Sequence, residues 1–97
     1  MQIKTAFSKS LRKIRKARGL TQEDFSDVSS RTYISQLERG QKSPTLDKVD
    51  ALAKVLKIHP LTLLGLTYLH AGGSRDPELL LRRIRSELEV LLRQNDS

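Results

Sequence analysis

Apolar residues recur every three or four positions through most of the 97-residue chain and almost never alternate one-to-one with polar ones, a pattern of helices rather than strands. Short groups of Gly, Pro and Ser interrupt it. The spacing therefore predicts an all-α fold. A first helix carries Phe7, Leu11 and Ile14 on one stripe, surrounded by Lys9, Arg12, Lys13, Arg15 and Lys16. It stops at Gly19, which tolerates the left-handed conformation of a helix end. Leu20 turns inward. Thr21, with Asp24 three residues on, is an N-cap signal for a short second helix that starts at Gln22 and buries Phe25 and Val28.

From Ser30 a third helix runs through Arg31 to Gly40, with Ile34 and Leu37 as its inward pair. After the Lys42-Ser43-Pro44 loop, Thr45 caps a fourth, whose expected buried face is Leu46, Val49, Leu52, Ala53 and Leu56. Pro60 opens a fifth, expected to carry Leu61, Leu64 and Leu69 as far as Gly72-Gly73. Residues 1–71 then form one domain, 72–75 a linker, and 76–97 a C-terminal helix and tail. In that last helix Asp76 is the cap, Pro77 the first residue, and Leu81, Ile84, Leu88 and Leu91 make steps of three and four. Opposite charges flank the stripe four residues apart. Two heptads cannot hold a coiled coil alone, and Leu80 and Leu92 widen the stripe, so this helix is expected to dock on another surface.

Composition narrows the possibilities. A chain of this length with 37% hydrophobic residues supports one small core. Without cysteine there is neither a disulfide framework nor a thiolate metal site, and His59 and His70 alone make a poor zinc site. No metal or cofactor is expected. No apolar run approaches the roughly 20 residues of a membrane span, and the first residues lack a secretory apolar core, so a soluble, cytoplasmic protein with no membrane partner is expected.

The net charge of +7 is unevenly spread. Residues 1–45 hold ten basic and four acidic groups, whereas residues 75–97 hold five of each. A positive field confined to one part of a small protein suits a polyanion such as nucleic acid, or otherwise a solvated basic face.

Two short helices joined by a tight turn, the second polar outside and apolar behind, is how a helix is offered to the DNA major groove. The series Leu20-Thr21-Gln22-Glu23-Asp24-Phe25, then Ser30-Arg31-Thr32-Tyr33-Ile34-Ser35-Gln36-Leu37-Glu38-Arg39-Gly40, then Ser43-Pro44-Thr45-Leu46, resembles the phage Cro/repressor-type (xenobiotic-response-element, XRE) helix-turn-helix family. The resemblance spans about residues 7–66. It implies a five-helix operator-binding domain, here followed by a C-terminal helix, acting on double-stranded DNA as a homodimer. Ser26-Asp27-Val28-Ser29 departs from the family, being about two residues shorter than usual and lacking glycine.

The start of such a recognition helix enters the groove first, which makes Arg31, Thr32 and Gln36 the candidate base readers and Ser35 a fourth. Arg forks onto guanine, Gln bridges adenine, and the Thr methyl suits thymine. The resemblance assigns base contact to the same positions. Gln22, at the start of the second helix with its free amides, is the candidate phosphate anchor, joined by Tyr33, Arg39, Lys42, Arg12, Arg15 and Arg18. Arg31 is alternatively a phosphate contact or a solvated charge, and Tyr33 alternatively half-buried packing. Glu38 is assigned to structure, because a carboxylate facing DNA is repelled. Nothing has the spacing of a catalytic motif, so no enzyme is expected.

Useful operator specificity calls for two recognition helices at a fixed distance. The apolar surfaces left for dimerisation are Leu63, Leu66 and Leu69 on the fifth helix and Leu81, Ile84, Leu88 and Leu91 on the last. The function expected is a homodimeric transcriptional repressor. The alternative is an antitoxin or adaptor whose C-terminal helix binds a partner protein. A membrane-surface helix is a third possibility, weakened because the core needs Phe7, Leu11 and Ile14.

Overall fold

The computed structural model describes residues 1–94 and contains five α-helices, α1 (Ile3–Ala17), α2 (Arg31–Glu38), α3 (Leu46–Leu56), α4 (Pro60–Gly72) and α5 (Pro77–Arg93), with no strand among the described residues. The fold is all-α, as the spacing predicts. One expected helix is different: Gln22–Phe25 is a single 3-10 turn. The short stretch from Ser26 to Ser29 explains this, because Ser30 must already cap α2, its hydroxyl accepting from the Tyr33 amide at 3.1 Å. The chain saves length by tightening the turn.

The core is built where the stripes meet. α1 lies mainly along α4 and touches α2, while α3 closes against α4 and the 3-10 turn. Leu11, Phe25, Ile34, Leu37, Leu52, Leu56 and Leu63 are all fully buried, and Phe7 and Val49 nearly so. Phe25 is the anchor of the 3-10 turn. Val28 is only half-buried at the edge of this cluster.

Two apolar expectations fail. Leu46, the first residue of α3, is 81% exposed, since the period fixes its side of the helix but not whether a neighbour reaches that far. Leu61 is exposed while Leu63 and Thr67 are buried. α4 is apolar nearly all round, so its sequence carries no phase. Burial of Leu63 also removes it from any surface available to a partner.

Helix ends follow local chemistry. Thr45 caps α3 through its hydroxyl (3.1 Å to the Lys48 amide), His59 caps α4 through Nδ1 (3.0 Å to the Leu61 amide), and Asp76 caps α5 (2.9 Å to the Glu78 amide). Gly40 closes α2 at φ +72°, with the Gln41 amide reaching back to the Gln36 carbonyl at 2.9 Å. Lys57 does the same after α3 without being glycine, at φ +58°, with the Ile58 amide bonded to Ala53 at 3.1 Å. A left-handed side chain is strained by about 1 kcal/mol. Exposed Lys57→Gly is therefore expected to raise the urea midpoint, by up to about 1 kcal/mol of stability, with an unchanged denaturant slope.

Candidate nucleic-acid interface

α2 presents two faces. Ile34, Leu37 and Glu38 point inward and are buried, while Thr32, Ser35, Gln36 and Arg39 occupy the opposite side at about 100° per residue. Gln22, Arg31, Thr32, Ser35 and Arg39 come together around one shallow polar depression. A second, formed by Arg15, Thr21, Gln22, Glu23 and Arg31, adjoins it through Gln22 and Arg31. Gln36 is about 140° round the helix from Arg31, so the two flank Thr32 rather than share a face. Tyr33 marks the other edge. It is half-buried, with the Lys48 ammonium 5.5 Å above its ring, and that ammonium also donates to the Val28 carbonyl at 2.6 Å.

Behind the depression sits the arrangement that holds it. The Arg15 guanidinium donates to both carboxylate oxygens of Glu38, at 2.6 and 2.9 Å, and to the Leu20 carbonyl at 2.9 Å. Glu38 is 3% exposed and Arg15 13%. Gln22 Nε2 adds a 3.2 Å bond to the same carboxylate. The Arg15 pKa is raised above its ordinary value, chiefly by the hydrogen bond to Glu38, with burial opposing and the Glu38 charge assisting. Arg15 is thus withdrawn from phosphate contact, contrary to expectation, because its donors are committed inward. Glu38 is structural, as its sign requires.

The expected anion site at the head of the second helix is also altered. The Asp24 carboxylate accepts from the Thr21 amide at 2.6 Å and the Thr21 hydroxyl at 3.1 Å. A single 3-10 turn whose end faces a carboxylate offers little positive potential. What remains there is the Gln22 side chain with the backbone amides of Gln22 and Glu23.

Among the other expected contacts, Arg31 is exposed and paired with equally exposed Glu23 at 3.3 Å. Such a pair contributes about 0–1 kcal/mol and opens readily. Arg39 is exposed, its Nε 3.4 Å from the Ser35 carbonyl, and Lys42 is exposed in the following loop. Arg12 is exposed on α1, three residues before Arg15. Arg18 borders a different feature, an apolar groove between α1, α4 and α5. Leu66 and Leu69 are half-buried in that groove, whereas Leu81, Ile84, Leu88 and Leu91 are exposed. Sequence spacing gives no sign of the Arg15–Glu38–Gln22 group; only the mismatch of a glutamate one residue past Leu37 hints at it.

Residues 11–63 match the family model described as Helix-turn-helix. The chain belongs to that family. Control protein C.BamHI of Bacillus amyloliquefaciens is 35% identical to this helix-turn-helix chain over 68 residues, 67% of this chain and 84% of that protein. Among solved structures, the restriction-modification controller protein C.AhdI from Aeromonas hydrophila is 35% identical (TM-score 0.59), covering 62% of this chain and 94% of its own. The restriction-modification controller protein C.Esp1396I is 27% identical with a TM-score of 0.63, over 70% of this chain and 90% of its own. The clp gene regulator ClgR from Corynebacterium glutamicum shares the fold, with a TM-score of 0.66 over 95% of this chain and 92% of its own at 22% identity. The Cro/repressor-type resemblance seen in the sequence agrees with these relatives. α5 lies beyond the family match.

Removing one member of a buried pair strands the other charge, a loss of about 3–5 kcal/mol. Glu38→Ala is expected to destabilise the domain by that order in equilibrium unfolding. The double variant Arg15→Met, Glu38→Leu is expected to regain most of the loss.

Proposed function

We propose that this helix-turn-helix chain is a sequence-specific double-stranded DNA-binding transcriptional regulator, a cytoplasmic homodimeric repressor acting on an inverted-repeat operator rather than an enzyme. The observation that carries this is the outward polar face of α2, with Thr32 and Arg39 exposed and Ser35 and Gln36 half-buried, flanked by Gln22 and Arg31, with Ile34 and Leu37 fully buried behind it. Among the described residues no helix is long and apolar enough to cross a membrane.

In this proposal α2 enters the major groove, where Thr32 and Ser35 meet base edges at its centre. Arg31 exchanges its weak bond to Glu23 for guanine, and Gln36 reads a base on the far side of Thr32. Gln22, oriented by Glu38, donates to phosphate, with Arg39, Lys42, Tyr33 and Arg12 around it. The carboxylate beneath the face does not repel DNA because Arg15 neutralises it.

Two half-sites about one helical turn, 34–36 Å, apart would be joined through α4 and α5, using Leu66, Leu69, Leu81, Ile84, Leu88 and Leu91. The 35% identity with the restriction-modification controller protein C.AhdI favours control of a restriction–modification gene set as the specific form of this role. The alternative, an adaptor or antitoxin, draws its support from the same exposed helix. A stoichiometric protein partner lost on deleting residues 76–97 would favour it.

Selection of bound duplexes from a random pool tests the proposal, the expected product being a two-fold symmetric motif. Gln36→Ala is expected to relax preference at one or two base positions, costing about 1–3 kcal/mol of discrimination. Lys42→Ala is expected to weaken all sequences alike and lower the salt slope by about one. Equal effects of both variants on every duplex would refute base reading by Gln36.

A further inference from the structure

α5 is a 17-residue helix with no buried residue. Of its apolar side chains only Leu80 is half-covered, so after its first turn the helix runs without support from its own domain. At about 1.5 Å per residue it is about 25 Å long. Leu80, Leu91, Ile84, Leu88, Leu81 and Leu92 fall within about 120° of its circumference at 100° per residue. A two-stranded coiled coil uses a narrower seam. A stripe of this width faces two neighbours at once.

A matching surface lies at the base of α5. Ile14, Ala17, Ile58, Leu66 and Leu69 line an open, mainly apolar groove of about 640 Å3 that continues onto Leu81. Gly65 is part of its lining, in the middle of α4. Glycine there weakens a helix by about 1 kcal/mol relative to alanine. No contact among the described residues requires it, since a Cβ added at Gly65 meets nothing of theirs within 4 Å. Space has been kept over α4 for something the protomer does not supply.

The rim specifies the occupant. Lys13 and Arg18 border the groove, and neither has an ion-pair partner among the described residues. Glu87 borders one edge of the α5 stripe beside Leu80 and Leu91, in an exposed 3.2 Å pair with Arg83, while Arg85, paired with Glu89 at 2.9 Å, borders the other edge beside Leu92. The stripe and the groove are thus both apolar, the Glu87 edge of the stripe suits the Lys13 and Arg18 rim, and both surfaces belong to the same chain. Two copies related by a two-fold axis satisfy both at once, the same patch serving on each side.

We propose that the dimer forms by reciprocal exchange of α5, each helix laying its leucine stripe into the α1–α4 groove of a second copy, over Gly65, and against the partner's own α5. This rests on the homodimer proposed above and names the surface that builds it. Gly72 and Gly73, before α5, give the connection the freedom to direct the helix outward.

The test uses the full chain in sedimentation equilibrium at several concentrations. Wild type is expected to be a dimer. Gly65→Leu, which fills the groove at a position with open space, is expected to weaken dimerisation at least about tenfold, with helix content and thermal midpoint of the monomer kept or raised. Leu88→Glu is expected to do the same from the other side. Because the chain lacks cysteine, Leu66→Cys chains mixed with Leu88→Cys chains and treated with a short bis-maleimide are expected to give the 66–88 crosslink between two copies. A dimer disrupted by Leu88→Glu but not by Gly65→Leu, with only 88–88 crosslinks, overturns groove seating while leaving the homodimer intact. A dimer indifferent to both variants places the interface elsewhere and also overturns it. A wild type monomeric at every concentration rejects the homodimer itself.

Discussion

The buried pair between Arg15 and Glu38 is the constraint on which the candidate interface depends. One guanidinium joins the end of α1, the last residue of α2 and the carbonyl of Leu20, while the carboxylate it neutralises also orients Gln22. A hydrophobic pair of equal volume could hold α1 against α2 just as firmly, because desolvating two charges offsets much of their attraction. It could not orient Gln22. The pair is better understood as fixing geometry: it sets the distance and angle between the 3-10 turn and the polar face of α2.

That constraint also sorts the positive charge. The first half of the chain carries many cations, yet they do not form one uniform surface. Arg15 is consumed inside, Lys48 is engaged over Tyr33 and the Val28 carbonyl, and Lys13 and Arg18 border the apolar groove. Lys9, Arg12, Lys16, Arg31, Arg39 and Lys42 are exposed, and of these Arg31 and Arg39 share the depression with Gln22, Thr32 and Ser35. Net charge measures the long-range attraction to a polyanion, whereas this sorting decides which groups are placed to touch one.

Much of this was legible from spacing alone. Leu11, Ile34, Leu37, Val49, Leu52 and Leu56 lie inside because amphipathic helices announce their phase, and Thr45 and Asp76 cap where their hydroxyl or carboxylate chemistry places them. The candidate readers Thr32, Ser35 and Gln36 and the candidate phosphate contact Arg39 follow from the same phase, being opposite Ile34 and Leu37. What spacing missed depends on long-range contact or on absent phase. Arg15 reads as one more surface cation until Glu38, 23 residues away, is brought against it. Leu61 and Leu63 cannot be told apart on a helix apolar all round. The 3-10 turn reflects a length limit set by where Ser30 must cap, and Lys57 carries a left-handed helix end that sequence signals assign to glycine.

The two halves of the molecule make demands that meet at α4. On the proposed function, a face that reads a few base pairs through an eight-residue helix has limited affinity by itself, and raising it with more charge would strengthen binding to every sequence equally. Coupling two such faces at fixed separation raises affinity for the paired site without changing either face. For that coupling to preserve the register of the half-sites, the joining element must be seated rigidly, which a projecting helix with no buried residue cannot achieve alone. Its leucine stripe and the open space above Gly65 are therefore connected to the geometry of α2, through the packing of α4 on α1 and of α1 on α2.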